Sequence, residues 1–244
     1  MTPNYILVPG PPVRAASWQP TAEFLRQAGY SVQVPDILAH CATPPSWSTW
    51  TRHLLEHITP SMSTIVVGHS SACVLAAELA TKVVVGGVIF VDGDIPPAHG
   101  AAQPVRPALL EFINGIADET GTLPVWSQWF KDDPARASLV GIDIFQRNPS
   151  AFARFEQSLP KLWVDWFNDE IELECWDDVP AGYIQASPIY DHAIEEARRR
   201  GWPVAKLNGT HLDPVLRPVE MSEAIMAMAR LLGSADPIGR ARRV

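Results

Sequence analysis

The sequence predicts an α/β protein: a doubly wound, mostly parallel sheet carrying an inserted, mainly helical cap. Three observations predict it. Over residues 1–95 short apolar runs alternate with amphipathic stretches of helical length, a rhythm that implies crossover units between parallel strands. Between residues 96 and 179 the chain turns to Pro-, Asp- and Trp-rich segments with helical spacing and no clear strand. From 180 to 244 the α/β rhythm resumes, so residues 1–95 and 180–244 are expected to share one core and 96–179 to form the cap. The right-handed crossover rule then limits the core to a doubly wound sheet. A chain of 244 residues has room for one such core and does not require a second.

Taken in order, Tyr5 to Val8 reads as the first strand and Pro20 to Ala28 as a helix stopped by Gly29. Ser31 to Val34 is the next strand, Trp47 to Ile58 the next helix, and Thr64 to Val67 a buried strand. A small-residue helix over Ala72 to Lys82 leads into a strand over Val83 to Val91. In the cap, Leu109 to Ile116, Trp126 to Phe130 and Phe152 to Phe167 carry helical spacing. Beyond it come a strand over Gly182 to Ala186, a helix over Asp191 to Arg200 stopped by Gly201, a strand over Pro203 to Leu207, and a closing helix over Glu220 to Leu232. There is no internal repeat.

Composition narrows the function. The net charge of -8 repels phosphate backbones and anionic lipid headgroups, so nucleic acid and membrane are not expected partners. Only Arg240, Arg242 and Arg243 are locally basic, a short tail best read as solvated. Cys41, Cys73 and Cys175 fit neither a disulfide framework nor a CxxC metal pattern. The chain enters an apolar strand within four residues of its start, so no signal segment is expected, and no apolar run approaches membrane-span length. A cytoplasmic monomer or homodimer acting on a small molecule is expected.

The chemistry centres on Gly68-His69-Ser70-Ser71-Ala72, which joins a buried strand to a small-residue helix. A nucleophilic serine on such a turn needs tiny residues two before and two after it, because its backbone is strained. Gly68 and Ala72 satisfy this for Ser70, whereas Ser71 as nucleophile would put His69 at the crowded position. The helix start also aims backbone N–H groups at the reacting centre. A serine hydroxyl needs a base within reach. His211, just past the last strand, is placed on a loop that can fold back over Ser70. His40, His53, His57, His99 and His192 have no such placement, and His69 is expected to point away from its neighbour.

The turn at Ser70, the opening Leu7-Val8-Pro9-Gly10 with Ser17-Trp18 downstream, and the late Gly-x-His of Gly209 to His211 together resemble the α/β-hydrolase superfamily, nearest to its small esterases and hydroxynitrile lyases. The similarity covers residues 1–95 and 180–233 and leaves the cap unmatched. It implies a triad whose acid usually follows the penultimate strand, where Asp191 stands, although an aspartate there also suits a helix N-cap. Some relatives place the acid after the strand that follows the nucleophile's helix instead. Asp92 occupies that position and is the first choice, with Asp191 the alternative and Asp94 a third candidate.

The resemblance also implies two oxyanion donors, the Ser71 N–H and a backbone N–H following the first strand. Pro11 occupies the second place and has no N–H. Either a shifted loop brings the Val13 N–H there, or another group substitutes, or the chemistry differs, since a lost donor is worth about 3 kcal/mol of transition-state stabilisation. The cap offers Trp126, Trp129, Trp163, Trp166 and Trp176 with Phe130 and Phe167, and Trp126 and Trp129 are expected to meet substrate. No His, Cys or Asp cluster has metal-ligand spacing and no phosphate loop follows a strand, so no metal or cofactor is expected. The leading expectation is a serine hydrolase acting on an ester, thioester or lactone of a mid-sized apolar or aromatic molecule. The alternatives are a lyase, cyclase or decarboxylase of the same fold and, behind it, a non-catalytic binding module.

Overall fold

The computed structural model describes residues 2–36, 38 and 46–234; His40, Cys41, Arg240, Arg242 and Arg243 lie outside them. Six strands form a wholly parallel sheet: β1 (Asn4–Val8), β2 (Ser31–Gln33), β3 (Thr64–His69), β4 (Gly87–Val91), β7 (Ala181–Gln185) and β8 (Val204–Lys206). Their spatial order is β2-β1-β3-β4-β7-β8, with β5 (Gly100–Ala102) and β6 (Ile171–Leu173) paired separately. Side chains alternate across a strand, so Tyr5 and Leu7 enter one core layer while Ile6 and Val8 enter the other. Helices cover both faces, which is why these strands read as unbroken apolar runs.

Helices α1 (Gln19–Gln27) and α10 (Pro218–Ser234) cover one face, where Leu25, Met221 and Ile225 meet Leu7 and Val67. On the other face lie α2 (Trp47–His57), α3 (Cys73–Lys82) and α9 (Asp191–Arg199). The chain leaves β1 toward one edge and returns at β3 on its other side. Crossover loops therefore diverge at the carboxyl ends of β1 and β3, and a crevice opens there.

The segment between β4 and β7 holds α4 (Pro107–Ile116), α5 (Pro134–Val140), α6 (Ile142–Phe145), α7 (Pro149–Ser158) and α8 (Asp165–Asn168). It also holds the antiparallel pair β5 and β6, so the expectation of a strandless region is corrected. The helix expected over Phe152 to Phe167 is broken after Leu159 by Pro160, whose ring removes a donor and blocks the preceding turn. Trp126 to Phe130 shortens to one 3-10 turn, Trp126–Gln128. Helix α5, passed over in the sequence, has a plain signature: Asp133 caps Arg136 N–H, Pro134 fills the first turn, and Gly141 closes it at φ 92°. The strand expected from Val83 starts only at Gly87, since Val84 is exposed and the preceding valines form a loop.

Candidate active site

Pro11 and Val13, Ser70 and Ser71, Asp92, and His211 sit on loops at the carboxyl ends of β1, β3, β4 and β8 respectively, Asp191 follows β7, and Trp126 and Trp129 lie between β4 and β7. Ser70 follows β3 directly and has φ 58°, the strained left-handed conformation of a sharp strand-to-helix turn. Its small neighbours are required by space. A Cβ on Gly68 would lie 2.7 Å from the Ala76 Cβ and 2.8 Å from the Ala72 carbonyl oxygen. One on Gly93 would lie 2.4 Å from the Ser70 carbonyl oxygen.

His211 is buried, and its Nδ1 donates to Asp92 Oδ2 at 2.7 Å. That bond fixes the tautomer and leaves Nε2 as the acceptor. Asp92, also strained at φ 43°, is fully buried, and its charge is satisfied on every side. Oδ1 accepts the N–H of Ala186 at 2.9 Å and of Ser187 at 2.8 Å, while Oδ2 also accepts the Ser187 hydroxyl at 2.7 Å. Asp191 and Asp94 are not brought to His211. Asp191 is exposed and accepts from Gln185 and Lys206, and the Gln185 bond foremost, then Lys206, holds its carboxyl below the usual range. Asp94 pairs with His192 at 2.6 Å and reaches Arg106 at 3.4 Å.

His69 is buried beside His211. Its ring lies 4.5 Å from that of His211, and its Nε2 donates to the His211 backbone carbonyl at 3.0 Å. Burial first, and the neighbouring His211 second, hold its pKa well below the ordinary value. The rest of the His211 loop is held by the end of α5, through His211 N–H to Leu139 O and Leu212 N–H to Val140 O. Asp213 closes the loop from beneath, accepting from Thr210 N–H at 2.9 Å and from its hydroxyl.

A cavity of about 190 Å³ opens over these residues, and Ser70, Ser71 and His211 line it. Trp126, Trp129, Phe130 and Phe167 form its aromatic wall. Trp163, Trp166 and Trp176 do not line it; Trp176 instead packs on Phe90 at 5.3 Å. Tyr190, which the sequence did not single out, stacks on His211 at 5.7 Å and lines the cavity together with Ser70. Burial, then Asp94 and Asp92, push its phenol well up, so it remains a donor. The Val13 N–H donates to Gly10 O at 3.1 Å, as does that of Arg14, and Pro12 rather than Val13 borders the cavity. The Val13 N–H is thus already engaged within its own loop. Ser71 N–H lies in the first turn of a helix, where no intrahelical acceptor exists.

Away from the cavity, His53, Glu56 and His57 on α2 bring ligand atoms within 4.8 Å of one another, an i, i+3, i+4 grouping overlooked in the sequence. Cys73 is buried and Cys175 exposed, both as free thiols. No helix among the described residues is long and apolar enough to cross a membrane.

The sequence matches the alpha/beta hydrolase family over residues 5–224. No curated protein matches significantly. Among solved structures, the chain is similar to an extracellular alpha/beta-hydrolase from a Paenibacillus species, described as sharing structural and functional homology with tobacco salicylic acid binding protein 2. That likeness has a TM-score of 0.73 at 17% identity and covers 93% of this chain and 99% of the other. A variant of tomato methylketone synthase I complexed with beta-ketoheptanoate gives a TM-score of 0.74 at 16% identity, over 95% and 98% of the two chains. Polyneuridine aldehyde esterase gives 0.69 at 14%, over 94% and 100%. At such identities these likenesses establish the fold.

Proposed function

The chain belongs to the alpha/beta hydrolase family, and from that premise we propose that it is a serine hydrolase cleaving an ester, thioester or lactone of a mid-sized apolar or aromatic molecule. The observation that carries the reading is the buried 2.7 Å bond from His211 to Asp92 beneath a cavity that Ser70 shares. His211 Nε2 takes the Ser70 hydroxyl proton as the oxygen attacks the carbonyl, then returns it to the leaving group. Asp92 orients the imidazole and stabilises its charged form. Water repeats the sequence on the acyl-enzyme and releases acid. Ser71 N–H faces the developing oxyanion, and the aromatic wall supports an apolar acyl or alcohol group.

A second reading rests on the loop after β1. Pro11 and Pro12 have no N–H and that of Val13 is bonded to Gly10 O, so an oxyanion would find one backbone donor fewer than usual. A lyase, cyclase or decarboxylase in which Ser70 and His211 only move protons needs no such donor. A fluorophosphonate probe distinguishes the two. The hydrolase gains the probe's mass on Ser70, and Ser70→Ala gains none; folded wild-type protein that stays unlabelled would sink the hydrolytic reading.

A further inference from the structure

The protein carries a net charge of -8, yet its candidate active cavity is lined by Arg106 and Arg136 and, among the described residues, by no carboxylate. Both guanidiniums rest on aromatic rings. Arg106 lies 5.1 Å from the Tyr190 ring centre, and Tyr190 stacks in turn on His211. Arg136 lies 4.5 Å from the ring centre of Phe112. Such stacking fixes the plane of a guanidinium and leaves its edge N–H groups available.

Arg106 has a counter-ion, but a poor one. Its Nη1 reaches Asp94 only at 3.4 and 3.5 Å, while Asp94 makes its short bond, 2.6 Å, to His192. Asp94 borders the neighbouring cleft rather than the active cavity, so Arg106 stands between the two. Its Nε and Nη2 donate to no group among the described residues. Arg106 also precedes α4, whose amino-terminal end adds positive potential at the same rim. Arg136 is held by Asp133 at 3.5 Å. A cation in an otherwise apolar, low-dielectric recess is expressed more strongly than one on open surface.

We propose that this cavity takes an amphipathic anion, with Arg106 holding the carboxylate, Arg136 adding charge at the rim, and the aromatic wall enclosing the apolar body. The inference deepens the hydrolytic reading and rests on it for the reaction, in which the scissile group lies at Ser70 and the carboxylate elsewhere on the substrate. It makes a monoacid monoester a better substrate class than the corresponding neutral diester.

Binding tests it without turnover. Calorimetric titration with 3-phenylpropionate and with 3-phenylpropan-1-ol compares two probes that share a body and differ in charge. The wild type is expected to prefer the acid by about ten-fold, the scale of one charge-assisted contact. Arg106→Gln is expected to remove that preference while leaving the alcohol's affinity unchanged. Equal affinities in the wild type, or a preference that survives both Arg106→Gln and Arg136→Gln, would overturn the proposal. Fluorophosphonate labelling of Ser70 reads the reaction separately. Labelled protein without anion preference sinks this inference alone, and unlabelled protein that still prefers the acid sinks only the hydrolytic reading.

Discussion

Asp92 is a buried carboxylate with four hydrogen bonds: one from His211, two from backbone N–H groups and one from the Ser187 hydroxyl. Burying a charge is tolerable only with such complete pairing. Under the proposed mechanism, Asp92→Asn keeps the shape but presents an amide to Nδ1, favouring the wrong imidazole tautomer. It is expected to lower kcat/KM by about 10,000-fold with an unchanged circular dichroism spectrum. Asp191→Asn is expected to leave kcat/KM at the wild-type value, because among the described residues Asp191 bonds Gln185 and Lys206 and not His211. The reverse outcome would move the acid to Asp191. Ser187→Ala removes one of the four bonds and is expected to cost about 1–3 kcal/mol in urea unfolding, the penalty for an acceptor left short of a donor.

At the scale of the element, the cap and the His211 loop are joined through α5. Its last carbonyls, Leu139 and Val140, accept from His211 and Leu212, and Gly141 turns the chain away immediately afterwards. A Cβ on Gly141 would lie 2.5 Å from the Thr210 hydroxyl, at a φ of 92° that side chains rarely adopt. Gly141→Ala is therefore expected to destabilise the protein by more than about 1 kcal/mol in urea. It should also lower kcat on any substrate the enzyme turns over, because the strain falls beside His211. Full activity with lost stability would show that the cap does not help to hold the histidine. Helix α5 could have been found from Asp133-Pro134 and Gly141, whereas the β5 and β6 pair could not: each is three residues long and they lie about seventy positions apart.

For the molecule as a whole, His69 ties stability to pH. Its folded pKa is lowered, chiefly by burial, so the native state keeps it neutral while the unfolded chain protonates near the ordinary value of about 6.5. Above that pH both states are neutral and the residue contributes nothing to the pH dependence. Below it, the unfolded state binds the extra proton, and the His69 contribution falls by about 1.4 kcal/mol per pH unit until the folded pKa is reached. The wild-type urea midpoint between pH 7.5 and 5 should thus fall more steeply than that of His69→Gln. Parallel curves would remove His69 as the cause. Glu78, whose pKa burial raises, acts in the opposite sense, which is why the difference between the two curves is the measurement.

The linear chain determined the parallel sheet, through runs such as Ile65-Val66-Val67, and placed Ser70 on its turn, because strand burial and steric room at Gly68 and Ala72 are local properties. It also put His211 on the loop that follows the last strand and named Asp92 among three acids. Only the tertiary structure shows which of those acids bonds to His211: Asp92 does, and the pairing of β4 with β7 brings Ala186 and Ser187 onto it across more than ninety residues. The same holds for His69, Tyr190 and Arg106, whose sequence neighbours give no sign of the groups they meet. Likewise, Pro11 announced a missing donor in the sequence, and only the folded loop showed the Val13 N–H bonded to Gly10. Pattern along the chain reports what one element buries, whereas a site is made where several elements end together.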